Sequence, residues 1–323
     1  MSSTEWKVPR AAQPKPEDYG FDLDRRLSSV VGLSAIVPSD AFTAESLGTE
    51  RAGNGVLIRE TGLVLTIGYL ITEAESVWLS LNDGRVVPGD VLAIDQETGF
   101  GLVQALSRPN LPAMPFGRSA EAEIGDRVVV AGGGGRARSV AARIAAKQEF
   151  AGYWEYLLEE AIFTAPAHPN WGGTALIGDA GELLGIGSLQ LQQERGGRSD
   201  QVNMVVPIDL LPPILDDLLT RGRRATPARP WLGFFAAEVE NRVAIAGVAS
   251  RGPAEKAGLQ PGDILLAVAG EPAQDLASLF RLIWRCGEAG AEVPLRIMRG
   301  ARVADIAVHS TDRHSILKKP RLH

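Results

Sequence analysis

The sequence predicts a mainly β protein of two domains, and three observations carry that prediction. From Leu27 to Leu191, short apolar runs recur between Gly, Asn-Asp and Asp-Gly signals, with few helical windows. Strands of this length and spacing fold as an all-β sandwich or barrel. A stretch rich in Arg, Pro and Ala, Arg221 to Pro230, then breaks the pattern and reads as a linker. Beyond it, strand-like runs flank one helical stripe, and 323 residues suffice for two cores at about 100–200 residues each.

The elements follow in order. Gly55–Ile58, Leu63–Ile67, Val77–Leu81, Val86–Val87, Val91–Ile94, Leu102–Leu106, Arg127–Ala131 and Leu183–Leu189 read as strands. Asn82-Asp83-Gly84 between two of them is a tight-hairpin signal, because Gly supplies the positive φ such turns need. Closing the strands into barrels would remove exposed edges. The run Gly132–Gly135 follows a strand as a phosphate loop does. The residues after it, Arg136-Ala137-Arg138-Ser139, lack both the Lys-Ser/Thr pair and a helix start, so it reads as a turn. Between Ile208 and Leu219, Leu210, Leu211, Ile214, Leu215, Leu218 and Leu219 share a 3.6-residue stripe. Pro212-Pro213 must lie in its first turn, where a missing N–H costs little. In the second domain Leu276, Leu279, Phe280, Ile283 and Trp284 form a helical stripe, followed by a strand pair at Val293–Met298 and Val303–Val308.

Composition narrows the function classes. A hydrophobic share of 45% with 22% charged residues fits a soluble globular protein. A net charge of −6 argues against nucleic acid as a partner. The cluster Arg221-Gly222-Arg223-Arg224 reads as solvated linker. One cysteine, Cys286, permits no internal disulfide, and His168, His309, His314 and His323 are too scattered for a metal cluster. No metal and no cofactor is expected. Met1 to Arg26 is Pro-rich and charged, unlike a signal peptide, and no apolar run approaches the ~20 residues that span a bilayer. These features set the expectation of a cytoplasmic protein with no membrane partner.

The segment His168-Pro169-Asn170-Trp171-Gly172-Gly173, with the strand-turn-strand pattern Thr174 to Ile186 after it, resembles the active-site loop of the HtrA family. These are trypsin-like serine proteases carrying PDZ domains, and Trp171 stands where the family places its serine. Upstream, Glu50–Ile58 and Thr61–Thr66 are similar to the strands leading to the catalytic histidine, whose triplet is matched by Tyr69-Leu70-Ile71. Thr98–Val103 stands where the catalytic aspartate falls, which puts Gly99 there. This likeness covers nearly all of Leu27 to Leu219. Pro253-Ala254-Glu255-Lys256-Ala257-Gly258-Leu259-Gln260-Pro261-Gly262-Asp263-Ile264-Leu265 is similar to the bacterial type of PDZ domain. The resemblance implies a trypsin-like double β-barrel 27–220 and a PDZ domain (α+β) 231–312, and composition adds a flexible segment 1–26, a linker 221–230 and a basic tail 313–323.

It also implies what is missing. Tyr69, Gly99 and Trp171 offer no general base near neutral pH, no orienting carboxylate and no nucleophile. Pro169, at the matched oxyanion-hole position, has no N–H to donate. No histidine occurs from Met1 to Ala167, so a His…Asp…Ser order cannot be drawn. The resulting expectation is a protein that is not an enzyme and that binds or scaffolds peptides. The alternative is a serine endopeptidase of protein quality control with an unusual catalytic set, and a third reading is a subunit that pairs with an active paralogue. Lys147, His168 and Cys286 read as a solvated side chain, a backbone-bonded loop histidine and a buried thiol rather than catalytic groups. Trp171 is expected to fill the vestigial cleft. In the PDZ domain, Leu232-Gly233-Phe234 matches the loop that holds a peptide's C-terminal carboxylate, and Phe235–Val239 offers an edge for strand addition. Phe234, Leu279 and Ile283 are expected to line the pocket for the terminal side chain, with peptide or protein C-termini as partners. HtrA resemblance also implies a homo-oligomer, a trimer.

Overall fold

A computed structural model describes residues 7–195 and 198–318. Two compact units emerge: residues 7–148 with 160–224 and 318, and residues 149–159 with 225–317. The first unit holds two closed six-stranded barrels. β1 (Val30–Ile36), β2 (Glu50–Arg59), β3 (Leu63–Ile67), β4 (Ser76–Ser80), β5 (Val86–Ile94) and β6 (Phe100–Ala105) close in the order β1-β2-β3-β6-β5-β4. β7 (Arg127–Ala131), β8 (Ser139–Gly152), β9 (Tyr156–Ala165), β10 (Ala175–Ile177), β11 (Leu183–Arg195) and β12 (Arg198–Pro207) close in the order β10-β11-β12-β9-β8-β7.

Local chemistry explains the joins. Gly84 takes a φ of +87° in the β4–β5 turn, where Leu81 and Arg85 pair. β4 alternates, with Val77 and Leu79 buried and Trp78 outward, as a one-sided strand must. β3 is buried along its whole length. The helix Pro212–Arg221 begins with its two prolines and stops at Gly222, whose φ is +70°.

Three expectations are corrected in this unit. Residues 7–26 are not a flexible segment: Val8 packs in the core of the second barrel and bonds Ala137 O at 2.8 Å. Leu23 and Leu27 are also buried, on a helical turn capped by Asp22. Residues 1–6 lie outside the described residues, as do 319–323 of the tail. The linker arginines are not all solvated, because Arg224 grips Asp95 with two bonds of 2.7 and 2.8 Å. β8 and β9 form a long hairpin, and its tip, 149–159, belongs to the second unit.

In that second unit β13 (Phe234–Val239), β14 (Arg242–Val248), β15 (Ile264–Val268), β16 (Glu271–Pro272), β17 (Glu292–Arg299) and β18 (Arg302–His309) form one sheet. Its order is β13-β14-β15-β17-β18, with β16 beside β15. The helix Leu276–Arg285 starts on a capping box: the Asp275 carboxylate accepts from Ser278 N at 2.7 Å, and Ser278 Oγ accepts from Asp275 N at 3.0 Å. Its apolar face buries Leu276, Leu279, Phe280 and Ile283 against the sheet. Arg229 lies 4.2 Å from the centre of the Trp284 ring, a cation–π contact.

Candidate functional site

In the first unit the fold gathers Tyr69, Gly99 and the 168–174 loop. Tyr69 sits on the 3-10 turn Gly68–Leu70 that ends β3, and its hydroxyl donates to Ser188 O at 2.8 Å. Burial pushes its phenol well above the ordinary tyrosine range, only partly offset by the hydrogen-bonding Trp171 side chain. Gly68 N donates to Gly99 O at 2.6 Å, so Gly99 lies one residue from Tyr69 across this contact. Gly99 has a φ of +81° and no side chain to offer. Trp171 reaches inward to Tyr69 but is half-buried, so it does not fill the cleft completely. A phenol shifted upward is no proton acceptor at neutral pH, and an indole is no nucleophile.

The loop is held by Asn54. Its side-chain amide donates to the carbonyls of Asn170 and Gly172, both at 3.0 Å, and its Oδ1 accepts from Gly133 N at 2.9 Å. Gly173 adopts a φ of +75° and donates to Gly187 O at 2.8 Å. His168 is buried in the same loop. Its Nε2 donates to Arg138 O at 2.8 Å, and its Nδ1 accepts from Asn170 N at 3.1 Å. Both ring nitrogens are thus committed to backbone, and burial pushes the imidazole down toward its neutral form. Lys147 is not solvated as expected: it donates to three carbonyls, of Ser119, Ala120 and Ala122, and pairs with Glu160. Below Tyr69, the buried Arg51 donates to Tyr69 O at 2.7 Å and to Thr72 O at 2.9 Å. Burial lowers Arg51, and nearby Glu73 opposes that shift.

The second unit holds the other arrangement. Successive backbone N–H groups of Leu232, Gly233 and Phe234 converge on one carboxylate, with their shortest distances at 3.1, 2.7 and 3.4 Å. The carboxylate is that of Glu155, which is buried. Phe234, Leu279 and Ile283 are fully buried core residues here, not an open pocket lining, and Ala151 packs against the same cluster. Cys286 donates its thiol to Leu282 O at 3.4 Å, and burial pushes it up.

Two family models match this chain: a trypsin-like peptidase domain over residues 53–186 and a PDZ domain over residues 230–309. The chain is homologous to the HtrA-type serine proteases. A probable periplasmic serine endoprotease DegP-like from Halomonas elongata is 27% identical over 269 residues, 79% of this chain and 55% of that protein. Serine endoprotease DegS of Haemophilus influenzae is 24% identical, covering 82% and 78%. Serine protease Do-like HtrA of Bacillus subtilis is 24% identical, covering 89% and 71%. The chain thus spans little more than half the length of its DegP-like relatives. Among solved structures, HtrA-type protease AlgW with tripeptide shares the fold at a TM-score of 0.52 and 22% identity, covering 93% of this chain and 97% of that one.

These relatives correct one expectation outright. The chain was expected not to be an enzyme, yet the HtrA-type proteins it matches over most of its length are named serine endoproteases. The residues speak against one catalytic set, His–Asp–Ser, and that is narrower than speaking against hydrolysis. A cytoplasmic location gains nothing either, since the DegP-like relatives are named periplasmic. No helix among the described residues is long and apolar enough to cross a membrane, and none of their His, Cys, Asp and Glu groups is placed to hold a metal. Sequence reasoning missed Arg51, Glu73, Asn54, Asp95 and Glu155. Each is a polar residue with at least one partner 21 or more positions away, which sequence spacing does not reveal.

Proposed function

We propose that this chain is an HtrA-type endopeptidase homologue whose PDZ groove binds protein segments through their terminal carboxylate. The convergence of three consecutive N–H groups, from Leu232, Gly233 and Phe234, on a single carboxylate carries the binding part. Gly233 makes it possible: its φ of +77° turns the backbone so that neighbouring N–H groups face one point. Carboxylate capture in such a backbone nest, with strand addition beside it, is a recurrent way of reading a peptide end. The groove residues proposed are Leu232, Gly233 and Phe234 for the carboxylate, with Leu279 and Ile283 beneath the terminal side chain.

The peptidase part is supported by the relatives, DegP-like, DegS and HtrA proteins named as serine endoproteases. The catalytic set would be unusual, because Tyr69, Gly99 and Trp171 stand at the matched positions and Pro169 brings no N–H to the oxyanion site. Activity is therefore expected to be slow, since losing one oxyanion donor alone costs roughly 10²–10³ in rate. The test is incubation of the purified chain with unfolded casein, together with a fluorophosphonate probe and mass spectrometry of the labelled peptide. Slow cleavage with labelling of a hydroxyl within residues 27–220 is expected. Intact casein and an unlabelled chain would overturn the peptidase part and leave the binding part standing. A homo-oligomer, a trimer by family resemblance, or a pairing with an active paralogue belongs to the same reading.

A further inference from the structure

We propose that the PDZ groove is filled by the chain's own 149–159 hairpin, with the Glu155 side chain standing in for a ligand's terminal carboxylate, so that an incoming C-terminus must displace it. The inference rests on the carboxylate-binding reading above and adds who occupies the site beforehand.

Four independent contacts reproduce the parts of a bound peptide. The Glu155 carboxylate takes the N–H groups of Leu232, Gly233 and Phe234. Tyr153 O accepts from Ala236 N at 2.9 Å, a strand-addition bond on the edge strand β13, whose other side pairs with β14. Ala151 packs against the apolar core cluster to which Phe234, Leu279 and Ile283, the residues proposed to lie beneath a terminal side chain, belong. On the helix Leu276–Arg285, Arg281 bonds both Glu149 and Glu159, one from each arm of the hairpin.

The hairpin is also built to hold its shape. Trp154 stacks on Tyr156 at 5.3 Å between ring centres, and Tyr153 meets Phe235 at 6.0 Å. Glu155 itself has a φ of +60°, a backbone state unfavourable for a residue with a side chain. Its carboxyl is pushed up to about 7 by burial, against which the three N–H donors and Arg313 pull only partly. Arg313 is lowered by the same burial. For both partners, loss of water outweighs attraction. A docked carboxylate that is strained and dehydrated is one that a better ligand can replace.

Competition has a quantitative signature. When only a fraction of molecules has the groove open, apparent affinity falls by that fraction, so a groove open about one tenth of the time binds about tenfold more weakly. The experiment uses the full chain as wild type, Glu155→Gln and Glu155→Ala. The probe is a fluorescent decapeptide ending in a free valine carboxylate, read by anisotropy, and hydrogen exchange of the Gly233 amide is followed in parallel. Expected are binding about tenfold tighter or more for Glu155→Ala, and faster Gly233 exchange in that variant until peptide is added. Glu155→Gln keeps the shape of the side chain and should shift both readouts in the same direction by less. Unchanged affinity with unchanged Gly233 exchange would overturn self-occupation while the groove reading survived. Weaker binding by Glu155→Ala would also overturn it, making the hairpin part of the ligand platform. No binding by any of the three chains would remove the groove reading, and this inference with it.

Discussion

Gly173→Ala is expected to cost roughly 3–5 kcal/mol of folding stability, the upper range for a single substitution. Two effects add. A φ of +75° is strained for any residue with a Cβ. A Cβ at this position would also meet the backbone oxygen of Asn54 at 1.9 Å. That oxygen cannot retreat, because it sits in β2 and accepts the Thr66 hydroxyl at 2.7 Å. The substitution should also release Gly187 O from the Gly173 N–H. Urea denaturation measures the loss, and a change below about 1 kcal/mol would contradict the loop geometry described above.

Arg224→Ala is expected to destabilise the first unit by about 3 kcal/mol, because it strands a buried carboxylate. Burial would push the Asp95 carboxyl up, but Arg224 and the N–H and hydroxyl of Thr98 hold it below the usual range. The sign of the pH dependence follows. A folded value below the unfolded one, near ~3.9, means that the stabilisation is present above about pH 4 and is lost as the pH falls through the depressed value. The gap between wild type and variant should therefore be widest at neutral pH and shrink in acid. Denaturation midpoints at the two pH values test this, and a gap that grew in acid would show that the pair is not what stabilises this corner.

What the sequence makes legible is local. The Asn82–Gly84 turn, the prolines at the head of the Pro212–Arg221 helix and the Leu276–Ile283 stripe are each specified by residues a few positions apart. The long β8–β9 hairpin is different. Its turn, Tyr153-Trp154-Glu155, carries no Gly or Asn, and Glu155 takes the left-handed conformation because the surrounding contacts impose it. The Asp95–Arg224 pair joins residues 129 positions apart, so neither residue announces the other. Leu279 and Ile283 show the same limit. Their spacing identifies an apolar helix face but cannot say that Ala151 packs against the cluster it joins. At the candidate active site, Tyr69, Gly99 and Trp171 were legible as residues. Reading their identities as absence of enzymatic function went further than residue identity allows, and the serine endoprotease relatives correct it.

The most direct test of the account is a calorimetric titration of the full chain with one apolar-ended peptide, prepared as the free acid and as the C-terminal amide. The free acid should bind in the micromolar range, and the amide at least about tenfold more weakly, because hydrogen bonds to a charged group are worth about 1.5–3 kcal/mol each. Equal affinities for the two forms, or no binding of either by both wild type and Glu155→Gln, would contradict a carboxylate-reading groove at Leu232-Gly233-Phe234.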